Sequence, residues 1–249
     1  MIRKKTIEKI DLILKPIWDQ KKNILVILAH PDDPEYFCGA TLARWVLEGH
    51  RIKYCILTRG ERGTNEHFAY TKDIKTIRET EQKNAAAVIG VQDIIFLDEP
   101  DGFVKVTDGL KHTLVKIIRQ LKPDIIVSCD PRNYLIHEEM INHPDHRAAG
   151  QAVMDTIFPA VQNGDFYSDL QQEGIMPHQV EELWLSLTSH PDVYMDVTET
   201  WQKKIKALLQ HTSQIAEPQL FYKRMEKRST FIRFKKRHIE SFKRVFISH

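Results

Sequence analysis

The feature that most constrains the fold is a regular alternation of apolar runs and amphipathic segments in the first half of the chain. Four short runs are almost wholly apolar, which is typical of strands buried on both faces. They are ILVILA (24–29), IKYCILT (52–58), DIIFL (93–97) and DIIVSC (124–129). The segments between them, 40–50, 74–91 and 110–121, have apolar residues at helical spacing. This order predicts an α/β fold, a three-layer sandwich with a mainly parallel sheet and helices on both faces.

The second half of the chain continues the pattern. Strands are predicted at 180–187 and 193–197, and a helix at 199–215. No internal repeat and no low-complexity linker interrupts these elements. The sequence therefore predicts one domain over residues 1–249, with its core at 22–215.

The two ends of the chain differ from this core. Residues 7–17 have the interrupted apolar spacing of an amphipathic N-terminal helix. Residues 223–249 contain ten Lys or Arg against two Glu, which favours a basic helical tail whose long side chains cover phenylalanines. A dedicated nucleic-acid or membrane surface is the alternative for this tail.

Composition excludes several classes of protein. A formal net charge of +2 does not indicate a nucleic-acid partner held by many phosphate contacts. Three cysteines without regular spacing do not form a disulfide framework. No apolar run approaches the roughly 20 residues of a membrane span. A cytoplasmic location is the default expectation.

Two polar clusters follow the first and the fourth apolar runs. His30, Asp32 and Asp33 of AHPDDPEYFCG come directly after residue 29. The loop after residue 129 contributes four more such groups: His137, His143, Asp145 and His146. The carboxyl ends of parallel strands meet at one edge of a sheet, where ligands bind in α/β proteins. Both clusters are therefore predicted at that edge, which favours a site over a crowded polar turn.

The residue types at this edge suit a metal ion. Imidazole and carboxylate together bind a borderline cation such as zinc or iron(II), and a catalytic zinc site takes three protein ligands plus water. His30 and Asp33 can reach one ion together, and one histidine of the second loop would complete the set. Asp32 then points another way and stays free to move a proton.

Several segments resemble the PIG-L/LmbE-like zinc-dependent N-acetylglucosaminyl deacetylases. They are AHPDDPEYFCGATLA, LTRGERGT, IRETEQKNAAAVIGV with FLDEPDG, and NHPDHRAAGQAV, which occur in the family's order within residues 24–155. HPDD together with HPDH is a specific pair. The resemblance implies a Rossmann-like fold and hydrolysis of an N-acyl group, usually acetyl, from an amino sugar or its conjugate. It also allows a homo-oligomer.

The resemblance also implies the metal site and the base. By motif position, His30, Asp33 and His146 correspond to the ligands of Zn²⁺, with Fe²⁺ or another divalent metal as the alternative. Asp32 corresponds to the general base, which takes a proton from water and returns it to the departing amine.

Three further residues match positions with roles in the family. His143, as a cation held by Asp145, corresponds to the group that stabilises the oxyanion. Arg78, in the IRETE segment, matches a position that faces the substrate in relatives.

One position departs from the family pattern. The first motif commonly reads HPDDE, whereas here Pro34 intervenes and Glu35 stands one place later. The hypothesis is that Glu35 replaces the usual acidic residue around the metal ligands, or that the substrate class differs. Specificity is expected from loops 59–73 and 135–141, where His67, Phe68 and Tyr70 are candidates for stacking on a sugar.

Three other functions remain as alternatives. A non-haem iron(II) enzyme uses two histidines and one carboxylate, although usually on a β-barrel. A nucleotide-binding protein needs a glycine-rich turn after the first strand, which this sequence lacks. A non-catalytic homologue that binds metal or sugar would have lost a ligand or the base, and both are present here.

Overall fold

An eight-stranded sheet with helices on both faces forms the centre of the molecule, in a computed structural model that describes residues 12–63, 73–136, 138–232 and 235–247. The strands are β1 (Leu12–Ile13), β2 (Asn23–Leu28), β3 (Arg51–Thr58), β4 (Asp93–Glu99), β5 (Ile125–Cys129), β6 (Leu135–Ile136), β7 (Met140–Ile141), β8 (Glu182–Ser186), β9 (Val193–Asp196), β10 (Thr230–Ile232), β11 (Lys235–Arg237) and β12 (Ile239–Phe246). The helices are α1 (Asp33–Leu47), α2 (Ile74–Ile89), α3 (Asp108–Leu121), α4 (Pro144–Asp155), α5 (Ser168–Gln172), α6 (Trp201–Leu208) and α7 (Pro218–Glu226).

The strand order places β2 and β5 side by side in the interior of the sheet. The order is β1-β9-β12-β8-β5-β2-β3-β4, and every neighbouring pair is parallel except the two pairs that β12 makes with β8 and β9. Val26 of β2 pairs with Tyr54 of β3 on one side and with Val127 of β5 on the other. The predicted α/β fold with a mainly parallel sheet is confirmed.

Alternate residues of β2 separate the hydrophobic core into two clusters, because successive side chains of a strand point to opposite faces. Ile24, Val26 and Leu28 pack with residues of α1, α2 and α6. Leu25 and Ile27 pack with residues of α3 and α4. All five side chains are at most 2% exposed, so β2 is covered on both faces as its unbroken apolar sequence predicts.

All six predicted strands are present, with ends that differ by no more than two residues. The helix predicted at 40–50 begins earlier, at Asp33, so the HPDD motif itself forms the N-terminus of α1. Pro34 fits there, because the first turn of a helix needs no backbone N–H from that residue. The helix predicted at 199–215 is shorter and ends at Leu208.

The prediction of a helical C-terminal tail is wrong. Beyond α7, the segment forms the β10–β11 hairpin and then β12, which is inserted between β8 and β9 in the main sheet. In β12 the alternate residues Glu240 and Phe242 are buried, and Phe242 packs against Trp45 and Trp184. The many basic residues hide this period-two pattern, which only the neighbouring strands make favourable.

The predicted N-terminal helix at 7–17 is also not found where the structure describes the chain. Leu12 and Ile13 form β1, which pairs in parallel with β9, and residues 14–17 contain no helix. The earlier part of that segment lies outside the described residues. Among the helices described, none is long and apolar enough to cross a membrane.

Candidate active site

The two polar clusters meet at the carboxyl edge of the sheet, where β2 and β5 end. α1 begins at Asp33 and α4 at Pro144, so each cluster stands at the N-terminus of a helix. Asp32 and His143 are the residues that precede these helices as their N-caps. Helix N-termini carry partial positive charge and free backbone N–H groups, which favour negative groups at this edge.

The three predicted metal ligands are in contact with one another. His30 Nδ1 lies 3.3 Å from Asp33 Oδ2 and 3.2 Å from His146 Nε2, and Asp33 Oδ1 lies 3.1 Å from His146 Nε2. Ligand atoms bound tetrahedrally at 2.0–2.2 Å are about 3.3–3.6 Å apart. The spacing of the three side chains therefore fits one zinc-sized ion between them.

The other ring nitrogen of each histidine is held by an oxygen atom. His30 Nε2 lies 3.2 Å from Asp101 Oδ1 and 3.3 Å from Asp145 Oδ2. His146 Nδ1 lies 3.1 Å from Asn142 Oδ1. With a metal bound, the protons would stand on the outward nitrogens, and the lone pairs of His30 Nδ1 and His146 Nε2 would be directed at the same space, as metal-binding histidines require.

The charges around His30 also suit a cation. Asp33, Asp101 and Asp145 are each at most 4% exposed, so three carboxylates are buried about one imidazole. Burial lowers the pKa of His30, but these carboxylates outweigh it and hold that pKa well above its ordinary value. Burial raises the pKa of Asp101, yet hydrogen bonds from His30 and the Arg62 backbone lower it to about 2. A metal ion would balance this negative charge.

Two further groups of potential ligands share His30. The ligand atoms of His30, His143 and His146 lie within 4.8 Å of one another, and so do those of His30, Asp101 and Asp145. The first group lies on the Nδ1 side of His30 with the predicted triad, whereas Asp101 and Asp145 approach the opposite ring nitrogen, Nε2. The residues present at this edge therefore fit a divalent metal, whichever subset holds it.

Asp32 is adjacent to the candidate ligand Asp33 and makes different contacts. Its backbone has φ +95°, a region that costs a non-glycine residue about 1–3 kcal/mol. The backbone N–H of Asp32 donates to Gln82 Oε1 at 2.8 Å, and the carboxylate accepts from Arg78 Nη2 at 3.3 Å. Burial raises the pKa of Asp32, and the guanidinium of Arg78 opposes this shift.

Arg78 supports Asp32 through hydrogen bonds to its carboxylate and to neighbouring backbone carbonyl groups. Its guanidinium is only 3% exposed and donates to the carbonyl oxygens of Pro31, Gly60 and Gly63 as well as to Asp32. A Cβ at Gly60 would lie 2.2 Å from Arg78 Nη1, so only glycine permits this approach. The predicted contact between Arg78 and substrate stays a prediction.

His143 faces the ligands but is oriented differently from the expectation. Its ring centroid lies 4.7 Å from that of His30, and its Nδ1 accepts a hydrogen bond of 3.2 Å from the backbone N–H of Asp145. The Asp145 carboxylate instead accepts from the backbone N–H groups of Gly102 and Val104. The bond that orients His143 is thus a backbone bond, which assigns the ring proton to Nε2 of a neutral imidazole rather than to a cation.

Sequence reasoning missed three residues that support this site: Asp101, Asn142 and Gln82. Asp101 belongs to FLDEPDG, one of the segments that resemble the family, and a polar residue after β4 at the same edge is a usable signal. Asn142 directly precedes HPDH and is fully buried. Nothing in the local sequence around Gln82 indicates its contact with Asp32.

Exposed aromatic residues stand next to the residues that support the ligands. Phe103 follows Gly102, is 57% exposed and lies under the guanidinium of Arg62 at 4.9 Å. Tyr134 is 64% exposed and lies under Arg147 at 4.6 Å. Among the described residues, neither arginine has an acidic partner. The loop residues His67, Phe68 and Tyr70, predicted to stack on a sugar, lie outside the described part of the chain, as does His137.

Fold and site together define an α/β protein of Rossmann-like type with a candidate His/Asp metal site at the carboxyl edge of its parallel sheet. The family model described as PIG-L, GlcNAc-PI de-N-acetylase, matches residues 25–157, just over half of the chain. The chain belongs to the PIG-L family, and it is a deacetylase and thus a hydrolase.

Individual relatives agree with this assignment. The diacetylchitobiose deacetylase of Thermococcus kodakarensis is 28% identical over 215 residues, which cover 85% of this chain and 77% of that protein. A probable N-acetyl-α-D-glucosaminyl L-malate deacetylase of Bacillus anthracis is 29% identical over 203 residues, covering 79% and 83%. The structure of the N,N′-diacetylchitobiose deacetylase from Pyrococcus horikoshii in complex with its inhibitor is 26% identical, with a TM-score of 0.80 and coverage of 90% and 84%.

Proposed function

We propose that this protein removes the acetyl group from an N-acetylated amino sugar or amino-sugar conjugate by metal-assisted hydrolysis of the amide. The observation that supports the proposal is that two adjacent aspartates make different contacts. Asp33 contacts both candidate ligand histidines, whereas the carboxylate of Asp32 pairs with Arg78. The relatives named above act on acetylated glucosamine derivatives, which supports the substrate class.

His30, Asp33 and His146 would hold the metal, and Zn²⁺ suits this donor set best, with Fe²⁺ as the alternative. When bound, such an ion polarises the amide carbonyl and lowers the pKa of a bound water towards 7. The His30 and His146 rings are kept in the required orientation by their contacts with Asp101, Asp145 and Asn142.

The proton transfers fall to Asp32. Its carboxylate takes the proton of the attacking water and returns it to the nitrogen of the leaving amine, as a base and then an acid. The charged Arg78 beside it favours the ionised form that the first transfer needs. Arg78 thereby acts on the reaction through Asp32, and a direct contact with substrate is not required for its effect.

His143 is the residue that donates a hydrogen bond to the carbonyl oxygen of the substrate. The backbone bond to Nδ1 leaves Nε2–H as a donor towards the space shared with His30 and His146. A preorganised donor at this position stabilises negative charge that develops on the oxygen during attack. Phe103 and Tyr134 provide apolar faces next to this space for a sugar ring.

The test combines metal content with amine release. Purified protein is analysed for bound metals, stripped with a chelator, reloaded with Zn²⁺ or Fe²⁺, and assayed for primary amine released from N-acetylglucosamine, N,N′-diacetylchitobiose and N-acetylglucosaminyl malate. We expect amine release that depends on the metal. The proposal is wrong if no metal-loaded form releases amine from any N-acetylated sugar.

The role of Asp32 is tested with a matched pair of variants. Asp32→Asn is expected to lower kcat about 10²–10⁴-fold while bound metal is retained. Asp192→Asn changes the third HPD sequence, at residues 190–192, whose carboxylate accepts from Lys243 Nζ and from the Arg244 backbone N–H. It is expected to leave kcat unchanged. Full activity of Asp32→Asn with metal bound would show that Asp32 is not the base.

A further inference from the structure

Glu35, the acidic residue that stands one place late in the motif, is completely buried under Asp32. It lies in the first turn of α1 with no exposed surface. Both of its carboxylate oxygens accept from Gln82 Nε2, at 3.1 and 3.0 Å. The His211 ring, also completely buried, approaches Glu35 Oε2 to 3.5 Å. A buried carboxylate without such partners would be strongly unfavourable, so Glu35 and Gln82 form one unit.

The same Gln82 amide contacts Asp32. With Nε2 committed to Glu35, the carbonyl Oε1 is turned towards the loop and accepts from the Asp32 backbone N–H at 2.8 Å. Glu35 thus fixes which way the amide faces, because a flipped amide would place oxygen against the carboxylate. This hydrogen bond from Asp32 N–H to Gln82 holds the backbone of Asp32, the residue whose φ is positive.

A second residue of α2 completes the support of Asp32. Arg78 lies four residues before Gln82, on the same face of α2, and donates to Pro31 O and to the Asp32 carboxylate. One helix therefore holds the carbonyl before Asp32, the N–H of Asp32 and its side chain. A strained conformation persists only where the surroundings determine it in this way.

We propose that Gln82, locked by Glu35, is a positioning residue that holds Asp32 in the geometry needed for proton transfer. The inference rests on the proposed function and deepens it. It also explains what Pro34 changes. Because the proline stands in the motif, the acidic residue Glu35 lies one place further along α1 and acts on Asp32 through Gln82 of α2. Neither Gln82 nor Glu35 touches the metal ligands through a hydrogen bond.

The test exchanges the carboxylate of Glu35 and the amide of Gln82. Gln82→Glu places a second carboxylate against Glu35 and is expected to lower kcat about 10–100-fold, since a small misplacement of a catalytic group has effects of this size. The double variant Glu35→Gln/Gln82→Glu restores one carboxylate and one amide, with the new carboxylate able to accept from both Asp32 N–H and the new amide. We expect it to recover kcat to within about fivefold of the wild type.

Three readouts separate positioning from general damage. KM and bound metal are expected to stay within about twofold in all variants, because only the base is displaced. Glu240→Gln is the matched control: Glu240 is another buried carboxylate that accepts from α1 backbone N–H groups, at Ala40 and Thr41, and from Lys204. It is expected to lower the melting temperature and leave kcat unchanged. If Gln82→Glu does not fold, Gln82→Asn, too short to span both partners, replaces it.

The outcomes distinguish failure of the proposed function from failure of the positioning role of Gln82. A wild type that releases no amine overturns the proposed function and this inference with it. An active wild type with a slow Asp32→Asn variant, combined with full kcat for Gln82→Glu or Gln82→Asn, overturns the positioning role alone. A double variant as slow as Gln82→Glu also overturns it, because the exchange restores the hydrogen bonds on which the inference depends.

Discussion

Replacing Asp101 by asparagine tests whether the structure distinguishes metal ligands from the residues that hold them. Asp101 Oδ1 and Asp145 Oδ2 lie at nearly equal distances, 3.2 and 3.3 Å, from the same nitrogen of His30. Loss of a carboxylate that holds a ligand histidine typically costs 10–100-fold in metal affinity. Because Asp145 remains, Asp101→Asn is expected at the lower end, about tenfold or 1.4 kcal/mol, and Asp101→Asn/Asp145→Asn at about 100-fold or more.

The assay titrates metal-free protein with Zn²⁺ against a coloured chelator, so it needs no substrate. Asp98→Asn is the matched control, because Asp98 lies in the same DEPDG segment, is largely exposed and pairs with Arg59 instead. Unchanged affinity in Asp101→Asn would refute the idea that Asp101 supports His30. Complete loss of binding would show that the metal instead lies in the group formed by His30, Asp101 and Asp145.

Three more predictions follow from individual contacts. Phe242→Ala is expected to cost about 3–5 kcal/mol of unfolding free energy; a cost below 1 kcal/mol in chemical denaturation would contradict the burial of β12. Glu182 is buried, which raises its pKa, but hydrogen bonds from Arg244 and two tryptophans lower that pKa overall. The stabilisation by ionised Glu182 is therefore complete above the pKa of the unfolded state, about 4.3, and is lost as the pH falls through the lower pKa of the folded state. The free energy of unfolding should then fall less steeply below pH 5 in Glu182→Gln than in the wild type. Tyr134→Ala is expected to raise KM about fivefold with kcat unchanged, and an unchanged KM would exclude stacking at this ring.

The α/β class and the location of the site could be predicted from sequence because both depend on local signals. Apolar runs such as 24–29 indicate buried strands without any knowledge of their neighbours. The positions of His30 and His146 after two such runs were sufficient to predict that they meet, since parallel strands end at one edge. The distance of 3.2 Å between their ring nitrogens agrees with that prediction.

The C-terminal strand could not be predicted in the same way. Half of the residues of β12 are charged or polar, and their own preferences favour neither helix nor strand clearly. The conformation is decided by the space between β8 and β9, where Phe242 fills a position against Trp45 and Trp184. Strand pairing joins residues far apart along the chain, and no local pattern contains that information.

By itself, the sequence determined the alternation of strands and helices from β2 to β5, the strands β8 and β9, and the kinds of side chain at the active edge. Only the tertiary structure decided what each side chain contacts. Asp145 holds His30 and a backbone loop, Arg78 lies under Asp32, and Gln82 joins Asp32 to Glu35. The physical reason is that secondary structure follows from interactions within a few residues, whereas these hydrogen bonds depend on how α2, the loop after β4 and the two helix N-termini pack together.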